Sequence, residues 1–163
     1  MPRQKPLPEW DRVGRLDGIE TGVRQLIRTE PLEVAHVDWQ GEAITVPTIA
    51  EMLRIKAILI LKRNATRDYL DFVALSDVLG EGGTATAMET FDRLYPQQSG
   101  ESALQQLLIQ LAHPMPYDLE ADRLNEYKHL ARRWHDWKVV CAACAQCAQT
   151  LFDRLAGRGH RGK

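Results

Sequence analysis

This sequence has few long hydrophobic runs, few cysteines and no excess of charge of either sign, and each shortage excludes something. The longest apolar run, AILIL (Ala57 to Leu61), is far too short to span a bilayer. The opening MPRQKPLPEW has no apolar core of a secretory signal. The three cysteines all lie within CAACAQC and cannot staple distant parts of a fold, which favours a reducing compartment. Together these features lead to the expectation of a cytoplasmic protein with no membrane partner. Lys plus Arg (21) nearly balances Asp plus Glu (22), so the net charge is -1 and nucleic-acid binding would need a local patch.

What is present is the raw material of one globular domain. At 163 residues, 44% hydrophobic and 26% charged, the chain can bury a sizeable core. Residues 1–22, rich in Pro, Gly and charge, read as loosely ordered. A single α+β domain is expected over 23–156, with a basic, disordered tail at 157–163. VRQLIRT reads as a short helix before Pro31. LEVAHVDW and EAITVP then alternate as two strands around Gln40-Gly41, a hairpin over 32–46.

The helical part, 48–156, opens with a capping box, Thr48-Ile-Ala-Glu51. It leads into an apolar helix over about 49–62. Asn64-Ala-Thr66 divides this helix from a second, about 67–79, closed by Gly80. EGGT reads as a loop, ATAMETFDRLY as a third helix and ESALQQLLIQLA as a fourth, with Ser99 as its cap. A long final helix begins near Trp134. The expected fold class is α+β, mostly α-helical, an N-terminal β-hairpin followed by a helical bundle.

The segment from Glu51 to Leu75 sets charges into apolar helices at regular intervals. Lys56 and Arg63 fall within about 20° of each other on a helical wheel. Arg63 and Arg67 offer planar forks suited to phosphate oxygens. Asp68 and Asp71 share a face, and one or two carboxylates beside substrate phosphates is a usual way to hold Mg²⁺. The competing reading is self-pairing, with Arg67 and Asp71 at i, i+4 and Asp68 favourably placed at a helix N-terminus.

The pattern E-x4-K-x6-R-x3-R-D-x2-D, filled by Glu51, Lys56, Arg63, Arg67, Asp68 and Asp71, resembles a late motif of AbiEii/AbiGii-type nucleotidyltransferase toxins of abortive-infection and toxin–antitoxin systems. The resemblance covers about Glu33 to Leu79. It implies a transferase moving nucleotides from an NTP to an acceptor such as tRNA or another nucleic acid, with Mg²⁺. Lys56, Arg63 and Arg67 would bind phosphate, and Asp71 and Glu33 would be catalytic, Asp71 also being the possible metal ligand. The Asp-x-Asp pair of such enzymes occurs nowhere in this chain. The resemblance therefore implies the C-terminal portion of an enzyme, weak or inactive alone, with an antitoxin or a complementary chain carrying Asp-x-Asp as partner. The stretch Gly82 to Asp92 lies downstream of the late motif and does not serve as a displaced catalytic turn.

The alternative is a non-catalytic helical interaction module, or truncated remnant, that docks a partner chain. Cys141, Cys144 and Cys147 read as small helix residues, with a zinc site completed by His135 the lesser reading. Trp134 and Trp137 read as anchors of the last helix, and Trp39 as a core or hairpin residue.

Overall fold

A computed structural model describes residues 11–16, 18–24 and 28–159. Two antiparallel β-hairpins precede the helices. Strands β1 (Asp11–Leu16) and β2 (Ile19–Arg24) pair with each other. They occupy a stretch where composition gave no element, and Val23 and Arg24 of the expected short helix belong to β2. The rest of that helix is only partly among the described residues. Strands β3 (Val34–Trp39) and β4 (Glu42–Pro47) form the hairpin that alternation predicted, turning at Gln40 and Gly41, both at positive φ. Helices make up most of the remainder, so the α+β, mostly helical class holds.

Helix α1 (Ile49–Arg63) starts where the capping box placed it: Thr48 Oγ accepts from the Glu51 amide at 3.1 Å. It ends at Asn64, which adopts the left-handed conformation that closes helices (φ 49°). Helix α2 (Thr66–Met88) has no capping side chain of its own next door. Asp118, distant in sequence, supplies one: its Oδ1 accepts from the Thr66 amide at 2.6 Å and the Thr66 hydroxyl at 2.9 Å.

Gly80 does not close α2. It takes a non-helical conformation (φ 67°, ψ 172°), after which the helix resumes through the segment expected as a loop. A short helix α3 (Phe91–Leu94) leads to α4 (Ala103–Ala112). The cap of α4 is Ser102 rather than Ser99, accepting from the Gln105 amide at 3.0 Å. Asp92 joins it, accepting from the Leu104 amide at 2.8 Å and the Ser102 hydroxyl at 2.7 Å, so this aspartate has a capping role. Two 3-10 turns, Ala121–Glu126 and Arg132–His135, connect to α5 (Trp137–Gly159). The last four residues of the expected basic tail lie outside the described residues.

The core sits among α1, α2, α4 and α5. Leu53, Ala57, Ile58 and Ile60 of α1 meet Tyr69, Leu70, Phe72 and Val73 of α2. Val140, Cys144, Ala148 and Leu151, spaced three and four apart on α5, close it from the other side. Trp134 is buried, and Trp137 meets Tyr69 edge-on at 6.1 Å, as anchors should. Trp39 is 62% exposed and contributes nothing to the core.

Candidate functional site

The antiparallel hairpin of α1 and α2 brings together the charges that the motif singled out. Lys56 Nζ lies 2.8 Å from Asp71 Oδ2 and 3.7 Å from Asp68 Oδ1. Arg63 holds Asp68 with both arms of its fork, Nε to Oδ2 at 3.0 Å and Nη2 to Oδ1 at 2.7 Å. This hydrogen bond to Asp68 raises the Arg63 pKa above its ordinary value, keeping the guanidinium firmly charged. Arg67 Nε meets Asp71 at 3.0 and 3.1 Å, the i, i+4 pair, and its guanidinium also lies over the Tyr127 ring. Asp68 is fully buried beneath Lys56 and Arg63.

The arrangement turns its charges inward. Three cations meet two carboxylates, and every one of the five side chains has an intramolecular partner of opposite sign. The burial cost of Asp68 is met by two cations, Lys56 and Arg63. Asp68 faces Lys56 and Arg63, and Asp71 faces Lys56 and Arg67, so both carboxylates are ion-paired within the chain. Among the described residues, no group of three or more His, Cys, Asp or Glu is placed to hold a metal ion. That includes the cysteines and His135: Cys144 is buried, and burial pushes all three thiols above their ordinary pKa.

Glu33, expected to act with Asp71, belongs to a different cluster. It stands just before β3 and joins a knot around the first turn of α1. Arg54 binds Glu33 and, at 3.1 Å, Glu51, while its other Nη atom reaches the Ala87 carbonyl at 3.1 Å. Arg28 pairs with the opposite oxygen of Glu51 and lies over Tyr95. Glu51, wholly buried, also accepts from the Glu33 amide at 3.2 Å. The Arg54 guanidinium, followed by the hydroxyl of Thr48 donating at 2.9 Å, holds the Glu33 carboxyl below the ordinary carboxylate range. The capping box thus forms by half. Glu51 does not reach back to the Thr48 amide, which donates to the Glu33 carbonyl; its carboxylate joins two arginines instead.

Sequence reading missed this knot because its members are scattered from Arg28 to Ala87. The available signal was Arg54, three residues after Glu51 on the same helical face.

Beside the charged face, Met52, Ile55, Ala74, Leu75 and Val78 line a groove between α1 and α2, of about 390 Å³, that also takes in Lys56 and Asp71. In an antiparallel helical hairpin, stepping back one turn from Lys56 to Met52 matches stepping forward from Asp71 to Leu75 and Val78. The groove therefore runs from the Lys56–Asp71 ion pair toward Met52 and Val78, the latter 67% exposed. A second apolar surface lies on the β3–β4 hairpin. Cross-strand register puts Val37 with Ile44, Ala35 with Val46 and Trp39 with Glu42 on one face, and Val37, Trp39 and Ile44 are exposed. Sequence reading assigned neither surface.

Comparison with known proteins replaces the functional expectation. No family model matches the chain, and no solved structure matches it significantly. The chain is 34% identical over 129 residues to a heme uptake protein MmpL11 of Mycobacterium tuberculosis, covering 77% of this chain and 13% of that protein. It is 30% identical over 129 residues to the mycolic acid-containing lipids exporter MmpL11 of Mycolicibacterium smegmatis, with the same coverage of each. Over 121 residues it is 32% identical to a probable transport protein MmpL11 of Mycobacterium leprae, covering 72% of this chain and 12% of that one. The chain thus spans about an eighth of the length of the curated relatives it matches.

These relatives are named for transport, not nucleotidyl transfer. The resemblance to AbiEii-type toxins is overturned, and with it the transferase activity, the abortive-infection setting, and NTP, tRNA, antitoxin or a complementary chain as partners. The roles assigned to Lys56, Arg63, Arg67, Asp71 and Glu33, and the use of Mg²⁺, had rested on that resemblance. The reading as a free-standing module docking a partner chain gains no support from the relatives either. The expectation of a cytoplasmic protein without a membrane partner also yields, because export and uptake are membrane processes; among the described residues no helix is long and apolar enough to cross a membrane. What this chain is similar to is a short stretch of the MmpL11 transport proteins.

Proposed function

We propose that this chain serves membrane transport, as an extramembrane part of an MmpL11-like transport protein, and that its α1–α2 groove meets apolar cargo. The observation that carries the reading is the similarity to three MmpL11 proteins over nearly three quarters of this chain or more. Two of those relatives are named for lipid export and heme uptake, and both cargoes are largely apolar bodies with polar groups. The groove has the same division: apolar walls from Met52, Ile55, Leu75 and Val78, with the Lys56–Asp71 pair at one end. An apolar body gains free energy by leaving water for such walls, and a polar group can exchange hydrogen bonds with the ion pair.

Deleting the gene and complementing it with the wild type tests this reading. Surface lipid composition and growth on heme as the iron source are the two readouts. A deficit in either that complementation restores supports the reading; wild-type levels of both in the deletion strain overturn it.

A further inference from the structure

The charges on the α1–α2 hairpin do not cancel. Arg63 holds Asp68 with both arms of its fork, and Arg67 Nε meets both oxygens of Asp71. Each carboxylate is thus matched by an arginine, and Lys56 is the cation left over. It shares Asp71, at 2.8 Å, with Arg67, while Asp68 at 3.7 Å stands beyond hydrogen-bond reach. Three cations against two carboxylates leave this face with one positive charge in excess. The Lys56 side chain is 27% exposed and lines the groove of about 390 Å³, so the excess charge stands at the groove. Its ammonium has three protons to donate.

Apart from Lys56 and Asp71, the groove is lined by apolar side chains alone. From Asp71 to Val78 helix α2 advances seven residues, about 10 Å at 1.5 Å per residue. A ligand matched to this outline has a singly negative head at Lys56 and an apolar tail of about that length. Such a head can take the Lys56 ammonium while Asp71 keeps Arg67 and the buried Asp68 keeps Arg63, so binding strands no charge without a partner. A cationic head would meet the surplus cation, and a neutral one would leave it unanswered.

We infer that the α1–α2 groove selects apolar molecules carrying one negative charge, such as a fatty carboxylate, with the head on Lys56 and the tail lying toward Val78. The inference deepens the transport reading and rests on the groove being its cargo site. The test is titration of the full ¹⁵N-labelled chain with octanoate, 1-octanol and octylammonium, following amide shifts. Saturable shifts on Met52, Lys56, Ala74 and Val78 are expected with octanoate, at an affinity about tenfold above that of octanol, and none with octylammonium. Lys56→Met should bring octanoate down to the level of octanol. Asp71→Asn, which removes the competing carboxylate, should tighten octanoate severalfold and leave octanol unchanged, circular dichroism checking the fold of both variants. Octanol binding as tightly as octanoate, or Asp71→Asn leaving octanoate unchanged, overturns the inference while an apolar cargo groove stands. Absence of saturable shifts with all three probes overturns the inference and the groove reading together.

Discussion

Two charge clusters flank α1, and they differ in what they do for the molecule. At the far end of the helix, Lys56, Arg63 and Arg67 meet Asp71 on a partly solvated face and cover the buried Asp68. At its start, Arg28 and Arg54 meet Glu51 and Glu33, with Glu51 entirely out of water. The first cluster has the regular spacing of a motif, and the second has none. Yet the second fastens the segment leading into β3, the first turn of α1 and the end of α2 to one another through a buried carboxylate. Regular spacing measures how easily charges are noticed in a sequence, not how many segments they tie together.

The comparison breaks most directly at Glu51. Glu51→Ala leaves Arg28 and Arg54 facing each other's charge without their shared carboxylate, and removing one partner of a buried pair costs about 3–5 kcal/mol. Urea unfolding should show a loss of that order; a loss under about 1 kcal/mol would mean the knot is solvated. A smaller, pH-dependent effect is expected at Glu33. Its folded pKa lies below the ordinary 4.5, so its contribution to stability is fully present above that value. It is lost as pH falls from there through the lowered folded value. The stability of Glu33→Gln should therefore fall less steeply in acid than that of the wild type, which pH-dependent urea midpoints would reveal. Smaller still, Arg67→Ala removes an exposed pair and should cost no more than about 1 kcal/mol. A cost near that of Glu51→Ala would erase the distinction between the clusters.

Much of the fold was legible because it rests on local chemistry. Alternation around Gln40-Gly41 gave the β3–β4 hairpin, and Thr48 gave the start of α1. Where partners come from far along the chain, local reading failed. Asp118 caps α2 from 52 residues away, and no window around Thr66 contains that information. Gly80 was read as a stop, since glycine is common where helices end, but burial of Ala85, Ala87 and Met88 recruits the following residues back into helix. Trp39 was expected in the core or the hairpin; its strand indeed forms, but both faces of the hairpin are largely bare. At the site, the i, i+4 pairing of Arg67 with Asp71 was legible from spacing. The pairing of Lys56 with Asp71 was not, because it depends on how two helices pack. The groove escaped notice for the same reason, being made of residues that any helical hairpin would display.

If the α1–α2 groove meets apolar cargo, as proposed, a charge on its wall should disturb transport. Val78→Asp places a charge on the groove wall at an exposed position, so stability should stay within about 0.5 kcal/mol of wild type. Ile109→Asp, on α4 at 72% exposure and outside the groove lining, is the matched control. Transport of apolar cargo in complemented cells should fall severalfold with Val78→Asp and remain at the wild-type level with Ile109→Asp. Equal transport by both variants and the wild type would mean that the groove does not meet cargo.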